Sequence, residues 1–200
     1  MAAAWRPERQ RKAFVHVDAE GERTITVIGE RLGPRGDEPL PWDQLVDAEA
    51  VYFTAGDPAA LRAARSARIL AASVRGKEVL ASAGVQLDVL VASGNDRAER
   101  YVPGEIEPVP GFVVITAGTE GGTLLKPDGT TSRWAAAPLP GHAVDSYGAG
   151  DCFAAGLTFG LGDGRSTEEA LALGARCGAA CMSGRGPYEG QLRFAGAPKP

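Results

Sequence analysis

Between Asp145 and Leu157 the chain runs Asp-Ser-Tyr-Gly-Ala-Gly-Asp-Cys-Phe-Ala-Ala-Gly-Leu, which sets small residues and carboxylates where they can do chemistry. Gly148, Ala149 and Gly150 fall where a loop turns into an apolar helix. Small residues let a ligand come close to the backbone, because little side chain stands in the way. The first N–H groups of a helix have no internal partner, and the aligned peptide dipoles place about half a positive charge beside them. Such a helix mouth accepts an anion such as phosphate. Asp151 then needs a reason, since a carboxylate beside an anion site repels the anion. The economical reason is that Asp151 serves the group that attacks the phosphate, which is the chemistry of a kinase. The alternative is a glycine-rich turn capped by an aspartate and opening a tightly packed helix.

The run resembles the C-terminal motif of the ribokinase-like (PfkB) carbohydrate kinases, roughly D-[ST]-x-G-A-G-D-x-F, and matches every constrained position, Phe153 included. The resemblance implies that Asp151 is the catalytic base for a sugar hydroxyl. It implies an anion hole formed by the amides of Gly148, Ala149, Gly150 and Asp151, with ATP as donor and Mg²⁺ beside the phosphates. Val114–Gly122 is similar to the family's nucleotide element, T-x-G after a buried strand and then a further glycine. This offers Thr116, Gly118 and Gly121 as ATP contacts, at a strand's carboxyl end where open α/β sheets collect ligands. Read alone, the same segment is an ordinary strand, turn and hairpin.

The family's Mg²⁺-holding N-x-x-E element is not matched. Alignment puts Ser93 at the Asn position and Asp96 at the Glu position, while Asn95 and Glu99 stand one residue out of step. Mg²⁺ keeps several waters and needs only one or two carboxylates, so Asp96 can work through water. A polar helix start on the surface is the other reading. Asp145 is expected to fix the loop by a hydrogen bond or, as in several relatives, to lend its carbonyl to a monovalent cation such as K⁺. Ser183–Pro187 resembles the family's loop near adenine and names Gly186. His142, Asp145 and Ser146 do not make a hydrolase, because no G-x-S-x-G elbow accompanies them and triad members rarely lie so close in sequence.

Positioning these residues requires a sheet with its strand ends on one side. The β-rich runs Phe14–Asp18 and Arg23–Ile28 flank Ala19–Glu22 as a hairpin. Strands are expected at Ala50–Thr54, Arg68–Ala72, Asp88–Ala92 and Phe112–Thr116. The last two are continuous apolar runs suited to burial on both faces. A second hairpin spans Gly122–Lys126 and Thr130–Trp134. Helices are expected over Trp42–Asp47, after the Asp57–Pro58 cap, over Lys77–Ala83, and after Gly148. Ser166–Glu169 is a capping box for the last helix, whose Gly174, Ala175 and Gly178 suit close packing. The expected class is α/β: a three-layer α/β/α ribokinase-like domain with a mostly parallel sheet. Residues 1–13 read as a solvated basic tail, 14–194 as the single domain and 195–200 as a frayed tail.

A net charge of −4 gives no reason to expect nucleic acid as partner, and no apolar stretch approaches a membrane span. Three cysteines, with Cys177 and Cys181 on one helical face, read as small buried residues of a reducing cytoplasm. The family's first strand and its Gly-Gly sugar-binding helix are not visible before Phe14. N-terminal strands and part of the lid are therefore expected to be missing, and this 200-residue form is expected to be a weak or inactive catalyst. The expected function is ATP-dependent phosphorylation of a hydroxyl on a sugar or related alcohol. The alternatives are a nucleoside kinase of the same fold, or a non-catalytic nucleotide- or sugar-binding relative. The expected partners are the small-molecule substrate and, because lids of many relatives pair subunits, a second copy of the chain.

Overall fold

A computed structural model describes residues 3–17 and 23–193. The expected turn at Ala19–Glu22 and the tail from 195 lie outside the described residues. Strands β1 (Lys12–Val17) and β2 (Arg23–Ile28) pair antiparallel, with Lys12 opposite Ile28, and stand apart from the main sheet. Phe14, Val15, Ile25 and Ile28 are all exposed on this ribbon. A 3₁₀ turn at Trp42–Asp47 leads into the main sheet.

That sheet takes its strands in chain order: β3 (Ala50–Phe53), β4 (Ile69–Ser73), β5 (Val89–Ser93), β6 (Phe112–Thr116), β7 (Gly122–Leu125) and β8 (Thr131–Trp134). The first four run parallel and the last two antiparallel. Successive side chains of a strand point to opposite faces, so a strand covered on both sides is apolar throughout. Leu70, Ala72, Leu90, Ala92 and Val113 pack with Leu61 and Leu80 in one core. Ala71, Val89, Val91 and Val114 pack with Phe153 and Leu157 in the other. The result is a three-layer α/β/α arrangement.

Helices α1 (Pro58–Ala64) and α2 (Lys77–Ala83) cover the first face. Asp57 caps α1, its carboxylate accepting from Ala60 N at 2.7 Å. Helices α3 (Ala149–Gly162) and α4 (Thr167–Cys181) cover the second. The capping box of α4 is complete: Glu169 N donates to Ser166 Oγ at 3.2 Å and Ser166 N to Glu169 Oε2 at 2.9 Å. It does not open the last helix, since a one-turn α5 (Gly186–Glu189) follows. Arg6 also departs from the solvated tail expected at 1–13. Its guanidinium donates to Glu38 and to the Gly33 carbonyl and is only 15% exposed.

The small residues of α3 and α4 let the two helices meet backbone to backbone. A Cβ at Gly174 would lie 2.8 Å from the Phe153 carbonyl oxygen, and one at Gly156 would lie 2.7 Å from Cys177 Sγ. Cys181 is fully buried in this seam, where burial and the neighbouring Cys152 push its thiol up to about 12. It therefore stays protonated and serves as packing. Gly174→Val places a side chain against a backbone that cannot yield. Valine gains only a few tenths of a kcal/mol in helix propensity over glycine. Overpacking, about 1–3 kcal/mol, therefore decides the sign. Denaturant unfolding of the variant should give that loss.

Candidate active site

Ser73, Ser93 and Thr116 end three neighbouring parallel strands and so share one rim of the sheet. Above this rim lies a cleft of about 540 Å³. Its lining brings together Ser93, Asp96, Thr116, Gly118 and Gly121 from one side and Ala149, Gly150 and Asp151 from the other. The sequence separates these two groups by 28 to 58 residues, and the fold brings them to one cleft. Thr116 Oγ1 donates to the Ala92 carbonyl at 3.3 Å, which fixes it at the strand end. Gly118 and Gly121 take φ of +59° and +77°, the left-handed region that side chains disfavour.

Gly148 caps α3 with φ +86°, and a Cβ there would meet Pro187 Cβ at 2.5 Å. Gly148 is thus fixed both by its backbone and by its neighbour. A Cβ on Gly150 would meet nothing within 4 Å, so the first turn of α3 opens onto free space. The Asp151 carboxylate stands on that turn and is 66% exposed.

Asp145, Gly148 and Gly186 do not line the cleft. They buttress it. Asp145 Oδ1 accepts from Tyr147 N and Oδ2 from Gly186 N, each at 2.9 Å, which ties the loop before α3 to the start of α5. Val144 N adds a bond to the Met182 carbonyl at 2.8 Å. The loop-fixing role expected of Asp145 therefore has explicit partners. Gly186 donates its N–H to Asp145 and is not among the residues lining the cleft.

Ser93 and Asp96 stand on the rim, each with one side-chain oxygen bonded in a local turn. Ser93 Oγ accepts from Asp96 N at 3.2 Å, and Asp96 Oδ1 caps the following 3₁₀ turn by accepting from Ala98 N at 2.8 Å. That turn carries Glu99 into the cleft, where its carboxylate, 15% exposed, accepts from Arg75 Nε at 2.5 Å. Arg75 in turn lies 3.8 Å from the Asp151 carboxylate. Burial opposes the Arg75 charge, but the Glu99 and Asp151 carboxylates outweigh it and raise its pKa. Tyr52, at the end of β3, is pushed up to about 12, mainly by burial, with the Asp151 charge adding to it. Its phenol is therefore a neutral donor. Arg75 and Tyr52 belong to no motif read from the sequence, and Glu99 appears there only as an out-of-step alternative.

Bare backbone at a helix mouth, a neighbouring exposed carboxylate and a strand-end threonine make a cradle suited to a polyphosphate. For Mg²⁺ the protein supplies little. Among the described residues no three His, Cys, Asp or Glu side chains come together as a cage. A hydrated ion held mainly by phosphate fits this donor set, with Asp96 and Glu99 as outer partners.

Residues 77–192, more than half of the chain, match the pfkB family carbohydrate kinase. The chain belongs to that family. Its fold is similar to a putative ribokinase from Agrobacterium tumefaciens, at 21% identity and a TM-score of 0.69 over 92% of this chain and 65% of that one. A nucleoside kinase from Methanocaldococcus jannaschii, an archaeal member of the ribokinase family, aligns at 17% identity and a TM-score of 0.67 over 93% and 66%. Arabidopsis thaliana ribokinase, solved with ribose and ATP, aligns at 19% identity and a TM-score of 0.65 over 90% and 65%. The chain thus spans just under two thirds of the length of each of these relatives.

Asp145→Ala leaves the N–H groups of Tyr147 and Gly186 without the carboxylate that holds them. Loss of a part-buried charge-assisted partner costs about 1–3 kcal/mol. Thermal unfolding should show that loss, and limited proteolysis should quicken at residues 183–190.

Proposed function

We propose that the protein is an ATP-dependent phosphotransferase acting on a hydroxyl of a sugar or related alcohol. The observation that carries this reading is the exposed Asp151 carboxylate on the first turn of α3, facing a cleft whose wall is the bare backbone at Gly150. In this reading the amides from Gly148 to Asp151 receive the terminal phosphoryl group of ATP, and the α3 dipole favours the charge that builds there. The acceptor oxygen forms its bond to phosphorus as the bond to the ADP oxygen breaks, and ADP leaves with the electron pair. Asp151 takes the acceptor's proton. Thr116, Gly118 and Gly121 receive the rest of the nucleotide.

Asp96 and Glu99 would hold Mg²⁺ through water; when bound, the ion neutralises phosphate charge. A monovalent cation at the Asp145 carbonyl belongs to the same reading. So does a cytoplasmic setting, where the three free thiols stay reduced. Among the described residues, no helix is long and apolar enough to cross a membrane. The exposed apolar ribbon β1–β2 supports pairing with a second copy of the chain.

A nucleoside is the other acceptor, and the M. jannaschii relative, a nucleoside kinase, aligns as well as the ribokinases do. A non-catalytic binding relative has one observation in its favour, the commitment of Ser93 and Asp96 to local turns. The intact, solvent-facing Asp151 weighs against it. Asp151→Asn keeps the shape and removes the base. It should lower kcat by roughly 10²–10⁴-fold, the usual worth of a positioned general base. The KM for ATP should move little, and near-normal turnover of an acceptor panel would remove the role.

A further inference from the structure

Arg75 lies just outside the segment that matches the family. It is held from below. The buried Ser73 caps the short turn Val74–Gly76 by accepting from Arg75 N at 3.2 Å, so the end of β4 sets the direction of the Arg75 backbone. Arg75 lines two cavities: the 540 Å³ cleft over the strand ends, and a neighbouring one of about 500 Å³ that Phe53, Gly56 and Lys77 also line. Arg75 therefore stands on the seam between them.

The guanidinium is a planar fork of five N–H donors. Glu99 takes one, on Nε. Among the described residues the two Nη groups make no hydrogen bond; Asp151, at 3.8 Å from Nη1, is near enough to attract but not to accept. A side chain anchored at Nε, with Nη1 near Asp151 and neither Nη hydrogen-bonded among the described residues, is poised for a second acceptor with paired oxygens. Phosphoryl oxygens have that geometry. The need is also clear. A phosphoryl group brought between the loop and Asp151 meets two carboxylates, Asp151 and Glu99, and neutral amides alone do not offset them.

We infer that Arg75 is a catalytic residue whose Nη groups bind the non-bridging oxygens of the transferring phosphoryl group, with Glu99 as the positioning residue that aims it. The inference rests on the phosphotransferase reading of the cleft. Arg75 gives up no proton in the step. It donates two N–H groups to the oxygens while the acceptor–phosphorus bond forms, the bond to ADP breaks and the acceptor's proton passes to Asp151.

Calorimetry on the full 200-residue chain tests this without requiring turnover, by comparing ADP with the non-hydrolysable imido analogue of ATP. Arg75→Gln should weaken the analogue about ten- to hundredfold, the worth of hydrogen bonds to a charged group, and leave ADP within about twofold. Glu99→Gln should weaken the analogue alone by a smaller factor. Should Arg75→Gln not fold, Arg75→Lys carries the same test, because a point charge without the fork recovers only part of the analogue's affinity. Equal weakening of both nucleotides in a variant that melts like the wild type would make Arg75 merely structural and overturn the proposal. So would no change in either. A wild-type chain that binds neither nucleotide would sink the phosphotransferase reading itself, and this proposal with it.

Discussion

The site depends on how the amino end of α3 is held. A helix mouth can serve an anion only if its first N–H groups point at one place, and the preceding loop has no regular structure to fix them. Here three separate restraints act on the loop. Val144 is bonded to the end of α4, Asp145 bridges to Gly186, and Gly148 abuts Pro187. The helix itself is set by its seam with α4, where Gly156, Gly174 and Gly178 remove the side chains that would hold the backbones apart. A Cβ at Gly178 would lie 3.1 Å from the Ala149 carbonyl oxygen, so this close approach reaches the first residue of α3. The same glycines that weaken a helix by propensity give this one its position.

The opposite wall is set by the sheet. Parallel pairing of β4, β5 and β6 puts Ser93 across from Thr116 in register and leaves Ser73 one strand away, paired with Val91. Short polar side chains at the ends of apolar strands mark where the core stops and solvent starts. Short 3₁₀ turns follow β4 and β5, and side-chain caps fix their first residues. Ser73 caps the turn bearing Arg75, and Asp96 caps the turn bearing Glu99.

Much of this was legible in the sequence, and for a local reason. The glycine-rich turn that opens α3, the Asp57 and Ser166 caps and the buried strands are each contiguous patterns whose physics lies within a few residues. The strand at Phe112–Thr116 and the helix at Lys77–Ala83 fall where the pattern puts them. The polar cluster was not legible, since Tyr52 lies on β3, Arg75 on the turn after β4 and Glu99 on the turn after β5, and they meet only through tertiary packing. At Asp96 and Glu99, spacing did not separate two carboxylates that both reach the cleft. An alignment by residue count names Asp96, whose Oδ1 caps the 3₁₀ turn; the same turn also brings Glu99 to the cleft, where it pairs with Arg75. Arg6 was missed for a similar reason, because its partner Glu38 lies far along the chain.

The charge pattern also bears on how the Asp151 carboxylate could tolerate an anion beside it. Asp151 is largely solvated, so water offsets part of its repulsion toward a neighbouring anion at no structural cost. Arg75 is half exposed and therefore strong enough to matter without being locked into one ion pair. Glu99, far less exposed, fixes one edge of the guanidinium and leaves the other free to answer charge that arrives with a ligand. Were the three groups all buried, desolvation would exceed their mutual attraction unless every donor were matched. Were they all exposed, salt would screen them. The intermediate placement leaves one edge of the guanidinium without a hydrogen bond among the described residues, the edge where a phosphoryl group would meet it.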